Sequence, residues 1–146
     1  MDDLPFGFIA PLPGGKKIGT AYGAPQRTPY GSELSYFKNN PTVSGMATED
    51  NSVILNPYAR LSTQEYDAVK RNEASRIFMR KNGYPKFDLT KEQEQFLANT
   101  PYGKASEDDR RATIAARILS GDPTAGRPTK EQAAYVEMLR RMMEGR

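Results

Sequence analysis

Cysteine, histidine and tryptophan are all absent from this 146-residue chain. Without cysteine there is no disulfide framework, no thiolate nucleophile and no cysteine-based zinc or iron–sulfur site. Without histidine there is no side chain whose ordinary pKa lies near neutrality, and Ser–His–Asp or Cys–His catalysis is excluded. Carboxylate or Lys/Tyr chemistry is what remains open to an enzyme. Apolar residues are scarce at 37%, below the ~45–50% of an average globular chain. Mean hydropathy is −0.73, and no apolar run approaches the ~18 residues of a membrane span. Asp2 and Asp3 stand where an export signal would carry basic residues, so no such signal is expected. No metal or cofactor is expected.

What is present divides unevenly. Residues 1–60 hold seven of the eleven prolines, seven of the twelve glycines and seven of the fourteen Tyr and Phe residues. Their five basic and five acidic residues cancel, so the net charge of +3 belongs to residues 61–146. Pro5, Pro11, Pro13, Pro25, Pro29 and Pro41 recur too often for a helix. No sustained period of two marks a strand. The expectation is a long, extended, irregular arm over 1–60. Its aromatics are too dispersed to form one core locally. Phe6, Phe8, Tyr22, Tyr30, Tyr36 and Phe37 are the candidate anchors by which the arm would dock onto a partner.

Residues 61–146 carry helix signals. Ser62 and Glu65 form a capping box, and Leu61 with Tyr66 occupies the positions of a hydrophobic staple. A helix is predicted from about 63 to 81, ended by Asn82–Gly83 with Pro85 beyond. A short second helix follows the Thr90/Gln93 box and ends at Thr100–Pro101. A third starts at Ser106 and stops at Ser120–Gly121, with Ile114, Ala115, Ile118 and Leu119 on one face. A fourth starts at Thr129 with Gln132 three residues on; its apolar positions are Tyr135, Val136, Leu139, Met142 and Met143. The string Thr-Lys-Glu-Gln occurs at 90–93 and 129–132 and reads as one capping solution used twice. The predicted fold is therefore mainly α: a small bundle of about four short helices behind the arm, with domains 1–60 and 61–146. So small a core is marginal alone, which points to an oligomeric context.

Five constellations bear on chemistry. Glu107, Asp108 and Asp109 resemble a metal cluster, but a helix's first turn attracts acidic residues through the macrodipole. Arg110, Arg111, Arg117, Arg127, Arg140 and Arg141 suit phosphate contacts, yet interleaved acids favour a solvated face or protein salt bridges. Gly14-Gly15-Lys16-Lys17 lacks the spacing of a phosphate loop and reads as a turn. Asn72 and Glu73 sit mid-helix, where surface placement is the default. Met142–Met143 suits either an adaptable docking surface or core packing.

The stretch Asn56-Pro57-Tyr58-Ala59-Arg60-Leu61-Ser62, continuing through Glu65-Tyr66-Asp67-Ala68-Val69 and Arg71-Asn72-Glu73-Ala74-Ser75-Arg76-Ile77-Phe78-Met79-Arg80, resembles small virion-associated proteins of tailed bacteriophages. So does Ala115-Ala116-Arg117-Ile118-Leu119-Ser120-Gly121-Asp122-Pro123. The resemblance covers about residues 50–140 and brings no catalytic residues with it. It implies a non-enzymatic structural component of the virion, made in the host cytoplasm. Such a component would hold neighbouring virion proteins in a multi-copy head, connector or tail assembly, here through the arm. The alternative is a small nucleic-acid-associated or regulatory protein using the basic faces of its helices.

Overall fold

Four short strands and a helix lie within the stretch expected to be an irregular arm. The computed structural model describes residues 15–145. Its strands are β1 (Lys17–Ala21), β2 (Ala24–Arg27), β3 (Gly45–Ala47) and β4 (Val53–Leu55). Its α-helices are α1 (Gly31–Asn39), α2 (Thr63–Asn82), α3 (Lys91–Ala98), α4 (Glu107–Leu119) and α5 (Lys130–Met143). The chain is a helix-plus-sheet protein, which corrects the expected mainly α bundle with a leading arm. Two compact units divide between Ile77 and Phe78, inside α2; the boundary read from composition lies at 60/61.

The first unit is built on a mixed sheet in the order β1-β2-β4-β3. β1 and β2 form a hairpin, β2 runs parallel to β4, and β3 pairs antiparallel with β4. The hairpin turns on Tyr22 and Gly23, both left-handed, with φ of 50° and 89°. A two-residue hairpin turn with both φ positive follows the natural strand twist, but Tyr rarely takes the first of those positions. Tyr22 is held there by its hydroxyl, which donates to Asp67 Oδ2 at 2.6 Å, and by Arg71 stacked 5.1 Å from its ring centre. Pro25 sits within β2 without breaking the sheet, because β2 registers with β4 only at Gln26↔Val53.

Phe37 from α1, Met46 from β3 and Ile54 from β4 make the core cluster, with Tyr36 and Val43 packed on it. None of the three is near another in sequence, so no local period announces the core. Polar groups fix what these few side chains cannot. Arg27 Nη1 and Nη2 grip Glu33 Oε1 and Oε2 at 2.7 and 2.6 Å, and Arg27 Nε reaches Asp50 at 3.3 Å. Arg27 and Glu33 are 4% and 0% exposed. Burial works against the Arg27 charge, but Glu33 and then Asp50 outweigh it and raise its pKa. Burial likewise pushes Asp50 up, yet the Thr48 hydroxyl and the Arg27 charge hold it below the usual carboxylate range. Buried Asn56 donates to the carbonyls of Val43 (2.6 Å) and Asn40 (3.2 Å), pinning the segment after α1. Tyr66 of α2 donates to the Asn56 carbonyl at 2.6 Å.

The predicted helix starts reappear as atoms. Ser62 and Glu65 exchange hydrogen bonds at 3.1 and 3.0 Å at the start of α2. In the second unit Thr90 and Gln93 cap α3, Ser106 caps α4, and Thr129 with Gln132 caps α5. α4 packs against α5, burying Ala112, Ile114, Ala115, Ala116 and Leu119 from the one helix and Val136, Leu139 and Met143 from the other. Phe87 meets Tyr135 edge to face at 5.7 Å.

The repeated Thr-Lys-Glu-Gln string has a further role. Gln93 and Gln132 are fully buried and form a reciprocal amide pair, with N–H···O distances of 2.7 and 2.8 Å. Each Oε1 also accepts its own cap's backbone N–H, from Thr90 at 2.9 Å and from Thr129 at 3.1 Å. Gln132 Nε2 donates again, to the Asp88 carbonyl at 2.8 Å. Two helix N-termini are thereby joined through the side chains that cap them, and burial of these amides is offset because each finds partners. Among the described residues, no helix is long and apolar enough to cross a membrane.

Glu33→Ala leaves the buried Arg27 guanidinium without its main partner. It should cost about 3–5 kcal/mol in urea unfolding, whereas Arg27→Met/Glu33→Leu should cost less than that single change. A loss for Glu33→Ala below about 1 kcal/mol would contradict the assignment. Gln132→Leu should cost about 1–3 kcal/mol by stranding the Gln93 amide and the Asp88 carbonyl. Gln93→Leu/Gln132→Leu should then cost less than the sum of the two singles; strict additivity would show that the amides are not coupled.

Candidate interaction surface

The six aromatic anchors expected on an arm have different fates. Phe6 and Phe8 lie outside the described residues. Tyr22 forms the β1–β2 turn and is tied to α2 through Asp67 and Arg71. Tyr30 precedes α1 and carries the Arg27 guanidinium 5.1 Å above its ring. Tyr36 lies 6.3 Å from Phe37, which is wholly buried. Each of these four thus has a contact within its own unit, Tyr36 and Phe37 in the core cluster and Tyr22 and Tyr30 against arginines.

Five of the six arginines named as phosphate contacts are paired with carboxylates, and Arg127 meets Glu92 through its backbone N–H at 3.4 Å. Arg110 pairs with Glu94, Arg111 with Glu107 at 3.6 Å and Arg117 with Asp122 at 2.5 Å. Arg140 and Arg141 both reach Glu137, at 2.8 and 3.4 Å. Arg117 also lies 4.8 Å from the centre of the Phe96 ring. A polar hollow lined by Asp88, Leu89, Glu94, Glu107, Arg110 and Arg111 is occupied by two of these pairs. Glu107 is thus engaged across one helical turn with Arg111. Lys16 and Lys17, read with Gly14–Gly15 as a turn, lead into β1: the Lys16 backbone exchanges hydrogen bonds with Thr28. Glu73 departs from its default placement. It is buried, with Arg76 4.0 Å away.

One exposed surface has the make-up of a contact site. α5 carries two apolar stripes rather than the single one of an ordinary surface helix. The inner stripe is Val136, Leu139 and Met143, with Gln132. The outer stripe, Ala134, Met138 and Met142, repeats every four residues and lies about a third of a turn around the axis. Met138 is 48% exposed. Ala134, Glu137, Met138, Arg141 and Met142 together line a shallow depression. The Met142–Met143 pair is accordingly split: Met143 is core, and Met142 borders the depression. Glu137 is held below the usual carboxylate range by its hydrogen bond from Arg140, with the charges of both arginines adding. Exposed Ile18 and Tyr58 have no comparable apolar stripe beside them on their own elements. Sequence reading missed Met138 and Ala134, because the inner stripe alone satisfies the expected helical period; their spacing from Met142 was the available signal.

A scan of family models and searches against curated proteins and solved structures find no match to this chain.

Arginines held by carboxylates leave little charge for DNA. In fluorescence anisotropy, the full chain should bind duplex DNA weakly, with less than a tenfold change between about 50 and 200 mM salt. A loss on the order of a thousandfold over that range, the mark of six or more phosphate contacts, would contradict this.

Proposed function

We propose that this chain is a non-enzymatic structural protein of a tailed-bacteriophage particle, made in the host cytoplasm and held among neighbouring virion proteins by protein–protein contact. The observation that carries the reading is the outer stripe of α5: an exposed methionine ridge bordered by charges of both signs. Such a surface suits a fixed protein neighbour. Methionines adapt to an irregular partner, and the bordering charges set register more than affinity. The resemblance of about residues 50–140 to small virion-associated proteins supports the phage setting.

The means of attachment differs from an arm of sixty residues. Residues 15–60 contribute strands and a helix to a folded unit, so docking is assigned to a preformed helix face. A preformed face avoids the ordering cost of ~1–2 kcal/mol per residue that an extended arm incurs. The paired arginines weigh against the nucleic-acid alternative, because a phosphate contact at any of them would have to displace a carboxylate already in place.

Mass spectrometry of purified particles of the phage that carries the gene should find the chain in fixed proportion to the structural proteins. Recovery only from the unassembled fraction of the lysate would contradict the proposal.

A further inference from the structure

We infer that the outer face of α5 is a homodimer interface, on which α5 of a second copy lies antiparallel about a two-fold axis near position 139. This names the neighbour for the surface on which the proposed function rests.

The charge pattern selects the partner. Glu137 and Arg141 stand one turn apart beside the apolar ridge, with opposite signs. A two-fold near position 139 exchanges position 137 with position 141. The Glu137 carboxylate of one copy then faces Arg141 of the other, and the pairing occurs twice. That is the self-complementarity an isologous interface requires. A partner of one sign would leave one of the two residues opposed. Within the chain, Arg140 is the nearer partner of Glu137, at 2.8 Å. Arg141 is held more loosely, at 3.4 Å, and its side chain is 63% exposed, so it is the group able to reach across.

The apolar positions fit the same arrangement. The axis passes next to Met138, so the two Met138 side chains lie on either side of it. About this axis the two α5 helices overlap over positions 135–143, about 13 Å. A single helix of that length buries less than the ~800 Å² per partner of a standard interface. The expected affinity is therefore modest, with a dissociation constant in the range of about 10 μM to 1 mM. Such an interface is filled where copies are concentrated, as in a multi-copy particle.

Sedimentation equilibrium of the full chain from about 1 μM to 1 mM tests this. The mass should rise from one chain towards two with concentration. Met138→Glu should abolish the rise while leaving far-ultraviolet circular dichroism and Tm unchanged, since Met138 is half exposed. Arg141→Glu should weaken dimerisation at least tenfold, and Arg141→Lys should recover most of it. A wild-type chain that stays single throughout, or a Met138→Glu variant that pairs like wild type, overturns the inference. Loss of Met138→Glu from particles with a single-chain wild type would overturn the dimer and leave the virion reading standing. A dimer broken by Met138→Glu in a chain absent from particles would do the reverse.

Discussion

A guanidinium withdrawn from water and left without its partner destabilises the fold around it by about 3–5 kcal/mol. Arg27 is matched by two parallel bonds to Glu33 and a third contact with Asp50. Each partner comes from a different element. Arg27 ends β2, Glu33 lies in the first turn of α1, and Asp50 sits in the loop joining β3 to β4. The Glu33 carboxylate also accepts the backbone N–H of Tyr30 at 3.2 Å, which fixes where α1 begins. One charge cluster thus sets the end of a strand, the start of a helix and the position of a hairpin. The apolar core it accompanies is small, with Phe37, Met46 and Ile54 at its centre. A unit with so little apolar surface relies on directional contacts for its register. Asn56 and Tyr22 act in the same way at the two other places where the chain reverses.

The helices α2 to α5 were legible because their signals are local; α1, which opens at Tyr30 and Glu33 in the stretch read as too rich in proline for a helix, was not. Ser62, Thr90, Ser106 and Thr129 each stand where the structure has a helix start, and the residue three positions on supplies the reciprocal group at Glu65, Gln93 and Gln132. The sheet was not legible, for equally specific reasons. Its strands have three to five residues, too few to show a period of two. Its main turn uses Tyr22 where Asn or Gly is usual, and β2 contains Pro25. Arg27 and Glu33 are six residues apart in a segment dense in Pro and Gly, and nothing in their spacing announces a buried pair. The aromatics marked as anchors were correctly noticed as unusual for a disordered segment. Of those among the described residues, Phe37 is core and Tyr22 and Tyr30 each stack with an arginine of their own unit.

The same distinction governs the interaction surface. The sequence shows a basic second half, and the structure shows that most of the arginines singled out in it are neutralised by a neighbouring acid. It shows a methionine pair at 142–143, and the structure turns one inward and leaves the other beside Met138. Repetition of Thr-Lys-Glu-Gln was recognisable as capping. That the two glutamines would also meet each other depends on a contact 39 residues apart, which no local pattern encodes. With the helix ends joined by that buried amide pair and the inner stripe of α5 packed against α4, the outer stripe is presented by a fixed helix. A fixed surface of mixed charge is suited to a protein neighbour.

The central claim is that residues 15–60 belong to a self-supporting folded unit organised by the Arg27 cluster, and are not a tether ordered by a partner. Amide hydrogen exchange of the full chain alone in solution tests it most directly. The account predicts slow exchange at Gln26, Met46, Val53 and Ile54 without any partner, and its selective loss in Glu33→Ala while amides of α4 and α5 stay protected. Exchange of those four amides at the rate of an unstructured peptide in the unmodified chain would contradict it.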